Sequence, residues 1–378
     1  MPRYSLDNVT INGFRGLKDL RLEGLGLINV LVGPNNCGKT SVLEALSILC
    51  NAFEPFEWVS MVRRRDFGRL DETRIQSLRW CFPQSAQFAD PELTFEGECR
   101  MTCDGRLPLR TLRVTHREIV GDPDPQQTQR RRRGLVTEGR EAEAEEEDIG
   151  DIQLRRGAEI THFPDDQIPR VAQVWEDQPV HVGLPRSIRT PVATETLTPY
   201  SYQINRVQVS SRSRHVFDRR RDMVLELVQS FDPEIQGVEI ASFRGVRPAI
   251  YLNHRRLGPA PLSVFGDALR RAVLLASTLP TLEGGGILLI DEIETGIHVS
   301  ALQRVFEWLK RWAIELDVQI VATTHSLEAV DAVALSASDA PGFLVTYHLD
   351  QTEHETRVKR IDGELLLRLR RERGLDVR

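Results

Sequence analysis

The chain has 378 residues, long for one domain and short for three. Charged residues make up 28% and hydrophobic residues 40%, which fits a packed globule and excludes a wholly disordered chain. No apolar run of about 18 residues occurs and Met1 to Asp7 has no apolar signal core, so neither a membrane span nor a secretory leader is expected. The net charge is −6, but segment 138–148 alone holds seven acids and one arginine, so the rest of the chain is close to neutral. That balance neither supports nor excludes nucleic acid as a partner. The five cysteines, at 37, 50, 81, 99 and 103, show no paired C-x-x-C spacing. This argues for a reducing, cytoplasmic setting without a disulfide framework or zinc site.

In chain order, Leu6 to Arg15 alternates like a strand and ends in a turn, and Leu17 to Leu22 alternates again. The pair, joined by Gly13-Phe14-Arg15-Gly16, forms an antiparallel prelude to Leu27–Val32, a mostly apolar run of strand length. Gly33-Pro34-Asn35-Asn36-Cys37-Gly38-Lys39-Thr40-Ser41 follows and reads G-x-x-x-x-G-K-T, the phosphate-binding loop pattern. From Thr40 to Leu49 the apolar residues fall at helical spacing. Strand, glycine loop and helix are the context in which the pattern has a mechanism. Gly33 and Gly38 let main-chain N–H groups wrap a phosphate, and the helix N-terminus adds partial positive charge. Lys39 then reaches the β- and γ-phosphates of ATP, and the Thr40 hydroxyl binds Mg²⁺.

Residues 53–90 are mixed, with Arg63-Arg64-Arg65 ahead of a helix expected near 70–80. Strands over 93–101 and 110–114 complete an antiparallel lobe. From 118 to 165 apolar residues thin out around Arg130–Arg133 and the acidic run, so a disordered insertion with a solvated charge face is expected. Strand pieces near 179–182 precede a helix over about 213–231. Its Arg219-Arg220-Arg221 reads either as an ordinary polar helix face or as a partner or nucleic-acid face. No long heptad run occurs.

The second half begins with strands at 238–241 and 249–252. Leu262-Ser263-Val264-Phe265-Gly266-Asp267-Ala268-Leu269-Arg270-Arg271 then opens a helix to about Leu279. Gly286 to Ile290 is a continuous apolar run that ends in Asp291-Glu292, the Walker B pattern. Such a run belongs to a parallel strand buried on both faces, and two carboxylates at its end need a cation or a water to serve. Asp291 would hold Mg²⁺ and Glu292 would polarise the attacking water. A helix over 300–316 presents Leu302, Val305, Phe306, Leu309, Ala313 and Leu316 on one face. Val318 to Thr324 is another buried strand, ending in His325-Ser326, and the tail holds strands at 343–349 and 356–361 before a short basic helix.

The order of these motifs, from Ile11-Asn12-Gly13-Phe14-Arg15-Gly16-Leu17 through Gly-Pro-Asn-Asn-Cys-Gly-Lys-Thr-Ser to Thr-Thr-His-Ser, resembles the ATPase head of the ABC-type superfamily, in its OLD-like, RecF and SMC branch. The resemblance covers residues 11 to 326 apart from the insertion. It implies an α/β P-loop fold with a RecA-like core, an antiparallel β lobe and a helical and disordered insertion. The implied division is 1–117, 118–235 and 236–378. Asn12 and Arg15 would lie near the nucleotide, although Arg15 also reads as a surface strand-end residue. A glutamine among Gln76, Gln84 and Gln87 would be the Q-loop residue. Ser263 and Gly266 match a variant signature motif, in which Ala268 replaces the usual glycine. Glu294 and His298 fall in the D-loop region, as seam residues or as local hydrogen-bonding residues. His325 matches the switch histidine that touches the γ-phosphate, so Lys39, Glu292 and His325 are the catalytic candidates. ATP and Mg²⁺ are the implied ligands, held between two copies in a homodimer or higher oligomer. Nothing in the tail resembles the Toprim nuclease that OLD proteins carry. Stand-alone relatives of this kind imply a separate effector, a nuclease or toxin, in antiviral defence, and the alternative is a RecF-like DNA-binding ATPase in repair.

Overall fold

A computed structural model describes residues 4–65, 73–84, 95–121, 155–165, 167–176, 192–203, 220–241, 249–339, 341–352 and 355–377. Alternating burial builds the first of three sheets among them. Strands β1 (Asn8–Asn12) and β2 (Leu20–Glu23) turn Val9, Ile11, Leu20 and Leu22 inward. The sheet continues through β4 (Glu96–Asp104), β5 (Thr111–Gly121), β6 (Arg155–Pro164) and β7 (Arg170–Trp175). Its order is β2-β1-β4-β5-β6-β7, antiparallel throughout.

The second sheet holds the strands whose sequences are continuously apolar. Its order is β15-β14-β3-β13-β12-β8. The members are β3 (Ile28–Val32), β8 (Thr194–Leu197), β12 (Ile287–Ile290), β13 (Gln319–Thr323), β14 (Leu344–Gln351) and β15 (Thr356–Asp362). All neighbours are parallel except β14 and β15. A third, three-stranded sheet joins β9 (Ile235–Ala241), β10 (Ala249–His254) and β11 (Gly258–Pro261).

Period-two alternation splits the parallel strands between two cores. Leu31, Ile287, Leu289, Val321, Val345 and Tyr347 face helix α1 (Lys39–Cys50) and the antiparallel sheet. Val30, Val32, Leu288, Ile290, Ile320 and Ala322 face the opposite helices. These include α4 (Arg221–Phe231), α5 (Asp267–Thr278), α6 (Val299–Leu316) and α7 (Leu327–Ser336). In α1 every residue from Val42 to Cys50 is buried, Glu44 and Ser47 included, as a helix covered on all sides requires. By contrast α6 buries one stripe, the Leu302, Val305, Phe306, Leu309, Ala313 and Leu316 face expected from its spacing.

The expected insertion over 118–235 needs correction. Residues 118–121 and 155–164 are paired strand, with Glu118 opposite Ala158 and Gly121 opposite Arg155. Further on, β8 lies parallel beside β12, pairing Leu197 with Ile290. The stretch thus completes both sheets. Charge-rich flanks hide its short alternating runs, and its strand partners are remote in sequence. Residues 122–154, 179–182 and 213–219 lie outside the described residues. The helix expected near 70–80 is α3 (Arg74–Arg79), and α2 (Glu57–Arg65) precedes it. A capping box between Thr73 and Gln76 starts α3. The last helix is α8 (Gly363–Arg371).

Two histidines of the antiparallel sheet, His116 in β5 and His162 in β6, are buried. The Trp58 indole N–H donates to His162 Nε2 at 2.7 Å, so the ring proton sits on Nδ1, 2.8 Å from the Ala52 carbonyl. His116 packs between Phe82 and Phe95, and among the described residues neither ring nitrogen has a hydrogen-bond partner. Burial lowers both from 6.5 to about 4, with the Arg79 charge adding to the effect at His116. A histidine depressed in the folded state contributes stability above its unfolded value, and that stability is lost as pH falls from 6.5 towards 4. Between pH 7 and 4.5 each should remove roughly 2–3 kcal/mol. His116→Phe, which sacrifices no hydrogen bond, should recover about that amount at pH 4.5 and little at pH 7 in urea unfolding.

Candidate functional site

The chain leaves β3 at Gly33, whose φ of +143° suits glycine. A Cβ there would stand 2.3 Å from the Leu349 carbonyl oxygen. Gly38, at φ +95°, caps α1 without a side-chain bond and packs where a Cβ would meet Leu17 at 2.7 Å. Among the described residues no side chain caps the first turn of α1, the arrangement that suits an anion. Pro34, Asn35 and Asn36 are exposed and Cys37 is buried. Lys39 Nζ donates to the carbonyls of Gly33 at 2.8 Å and Pro34 at 2.9 Å, so the ammonium lies against the loop itself.

Asp291 stands just past the end of β12. Its carboxylate accepts from the Thr40 hydroxyl at 3.1 Å and from the Thr323 hydroxyl at 2.6 Å. Hydroxyl and carboxylate together are a hard-oxygen donor set of the kind Mg²⁺ takes. Glu292 follows with φ +47°. Its N–H donates to Thr323 Oγ1 at 2.8 Å, and its carboxylate accepts from Thr295 at 3.0 Å. His325 Nδ1 lies 3.1 Å from Glu294 and 3.9 Å from Glu292. Glu294 also accepts from the His325 N–H at 3.0 Å. Behind the two Walker B residues lies Arg271, which donates to the carbonyls of Thr198, Asp291 and Glu292.

Arg15 binds Glu44, one turn into α1, at 2.8 Å. Arg65 reaches the same carboxylate at 2.6 Å and Ser41 at 3.4 Å. Asn12 is exposed at the end of β1, opposite Arg100. Ser263 and Gly266 are exposed at the start of α5, and among the described residues no hydrogen bond ties them to the 33–41 loop. Gln76 is engaged in the α3 cap, Gln84 turns its amide onto the carbonyls of Arg79 and Phe82, and Gln87 lies outside the described residues. His298 caps α6 by accepting from the Ser300 N–H.

A family model described as AAA domain, putative AbiEii toxin, Type IV TA system, matches residues 117–331, more than half of the chain. The chain belongs to this AAA domain family. A second model, an AAA ATPase domain, matches residues 5–98, which include the phosphate loop. This AAA protein is 20% identical over 340 residues to an ATP/GTP phosphatase of Helicobacter pylori, across 86% of each chain. It is 29% identical over 100 residues to the hemin import ATP-binding protein HmuV of Roseobacter denitrificans, across 24% of this chain and 37% of that one. A 51-residue stretch is 45% identical to the Methanocaldococcus jannaschii protein MJECL10, 14% of this chain and 23% of the relative. The matches thus span less than two thirds of the last two relatives' own length.

Among solved structures, the Pyrococcus furiosus Smc head with an extended coiled coil, bound to the C-terminal domain of ScpA, superposes with TM-score 0.54. The match covers 99% of this chain and all of that one at 11% identity. A second Smc head, bound to the C-winged helix domain of ScpA, gives 0.51 over 96% and 99% at 11% identity. The fold is that of an ABC-type P-loop ATPase head, and the AAA protein is an ATP hydrolase.

Of the candidates read from sequence, Thr40 and Asp291 are in direct contact, and Glu292 and His325 adjoin them. Among the described residues, Asn12, Ser263 and Gly266 make no such contact. Sequence reasoning missed Thr323, Arg271, Glu44 and Arg65. A threonine ending a buried strand and an arginine inside an apolar helical run were the available signals for the first two. Nothing local marked Arg65 as a neighbour of Ser41. Removing Glu44 would leave two arginines without their shared partner. Glu44→Ala should therefore lower stability by about 2 kcal/mol in chemical unfolding, below the usual buried-pair loss because Arg65 is half-exposed.

Proposed function

We propose that the chain binds ATP with Mg²⁺ between two copies of its head and hydrolyses it, and that this cycle controls a separate effector of nuclease or toxin type, in the manner of OLD-like ATPases. The observation that carries the catalytic reading is the Asp291 carboxylate, bonded at once to the Thr40 hydroxyl of the phosphate loop and to Thr323 beside Glu292. Thr40 and Asp291 would hold Mg²⁺, which offsets phosphate charge when bound. Lys39 would leave the Gly33 and Pro34 carbonyls for the β- and γ-phosphates. Glu292 would orient the attacking water, and His325, fixed by Glu294, would donate to the γ-phosphate. Catalysis of this kind is positioning and charge stabilisation. Ser263 and Gly266, exposed and, among the described residues, without a hydrogen bond to the chain's own loop, suit a role against the nucleotide of a second copy.

The effector reading draws support from two sources. The matched family carries a putative toxin of a toxin–antitoxin system in its description. The Smc heads of like fold were each solved with a domain of another protein, ScpA, bound.

Lys39→Ala should abolish tight nucleotide binding, measured with a fluorescent ATP analogue. Glu292→Gln should keep binding and lose turnover by about 10²-fold or more, the size of a catalytic-group effect. Near-normal turnover in Glu292→Gln would refute the role of that residue. For the partner, Glu292→Gln purified from its native host with ATP should bring down a stoichiometric second protein identified by mass spectrometry. DNA alone, released by salt, would replace the effector reading with a RecF-like DNA-binding ATPase.

A further inference from the structure

Arg271 lies in α5, five residues beyond Gly266, and its side chain is 1% exposed. Burial pulls its guanidinium down from 12.5 to about 10, while the Glu294, Tyr202, Asp291 and Glu292 side chains hold it up, so it is charged at neutral pH. A buried charge ordinarily answers an ion-pair partner at hydrogen-bond distance. Here the guanidinium donates instead to three main-chain carbonyls: Thr198 at 3.2 Å, Asp291 at 3.2 Å and Glu292 at 2.9 Å.

Two of those carbonyls belong to the first residues beyond β12, where the ladder to β8 and β13 has ended. A carbonyl without a strand partner needs another donor, and among the described residues Arg271 is the one the Asp291 carbonyl has, whereas the Glu292 carbonyl shares it with the Thr295 N–H. Glu292 is also left-handed, at φ +47°, a conformation a residue with a Cβ holds only when its surroundings fix it. Its N–H is held by Thr323, its carboxylate by the Thr295 hydroxyl and its carbonyl by both the Thr295 N–H at 3.0 Å and Arg271 at 2.9 Å, and of these partners only Arg271 is charged.

We infer that Arg271 is a positioning residue for hydrolysis: by gripping the Asp291 and Glu292 carbonyls it keeps Glu292 in the left-handed conformation that sets the direction of its carboxylate. The inference rests on the reading of Glu292 as the residue that orients water. Without the grip, the 291–292 peptide relaxes towards negative φ and the carboxylate turns away. Among the described residues the 33–41 loop makes no bond to Arg271, and the Asp291 carboxylate keeps its bonds from Thr40 and Thr323, so the phosphate loop's own hold on nucleotide is left as it was.

The test uses the full chain as Arg271→Lys and Arg271→Met, with Glu292→Gln measured alongside. Lysine keeps the charge, but a single ammonium cannot span the Thr198 carbonyl and the 291–292 pair. Arg271→Lys should melt as a folded protein, with kcat lower by about 10- to 10²-fold and the Kd of a fluorescent ATP analogue within about threefold of wild type, as for a roughly 1 Å misplacement of a catalytic group. Arg271→Met should be slower still and, if it does not fold, leaves Arg271→Lys to decide. Wild-type kcat in folded Arg271→Lys, or a Kd weakened as much as kcat falls, overturns the inference. Slow Glu292→Gln with fast Arg271→Lys sinks the positioning role alone, whereas fast Glu292→Gln removes the underlying reading and the inference with it.

Discussion

The Asp291 carboxylate joins three elements that lie far apart in sequence. It accepts from Thr40 in the first turn of α1 and from Thr323 at the end of β13, while it stands itself at the end of β12. The contact exists only because β3, β13 and β12 run parallel and end at one level. The register pairs Ile290 with Ala322 and Ala322 with Val30. A slip of one residue would exchange the apolar sets facing the two cores and carry Asp291 to the wrong side of the sheet. Packing on both faces of the sheet therefore fixes the geometry of the polar site at its edge.

Helix α1 carries that constraint into the other half of the molecule. Parallel strands bury its near side, and the antiparallel sheet covers its far side through Leu20, Leu22, Met101 and Leu112. The loop before it cannot move as a free turn, since Gly33 abuts the Leu349 carbonyl and Gly38 abuts Leu17. Glu44, buried within the helix, is matched by Arg15 from the β1–β2 turn and Arg65 from α2. The antiparallel lobe thus gives α1 a second apolar wall and an ionic tie one turn from the phosphate loop.

What could be read from sequence followed the range of the interaction that decides each feature. The glycine loop, the apolar strand ending in Asp291-Glu292 and the stripe of α6 are local patterns, and each lies where its spacing put it. Strands β6 and β8 were illegible because their partners, Thr111–Gly121 and Ile287–Ile290, are supplied by topology. Arg15 illustrates the intermediate case. Its motif placed it near the phosphate loop, but the partner it binds is Glu44, a carboxylate inside an apolar helix that periodicity gave no reason to pair with it. Arg271 was hidden for a different reason. Its partners are main-chain carbonyls, which have no residue identity to read.

Glu292 shows why such a main-chain contact matters. Glycine would take φ +47° without strain, and a glutamate there gives up of the order of 1 kcal/mol. The hydrogen bonds from Thr295 and Arg271, and the one to Thr323, each contribute about that much, so together the surroundings can hold the strained residue. Asp19, Asp165 and Asp317 are left-handed too, but Glu292 is the one of these four carboxylates that stands beside the Thr40–Asp291 pair. Disagreements between local propensity and tertiary structure persist where a side chain is needed in a direction the relaxed chain would not give it. The left-handed turn at Glu292 and the buried arginine behind it are therefore best understood as one device, in which a fixed positive charge holds a strained peptide.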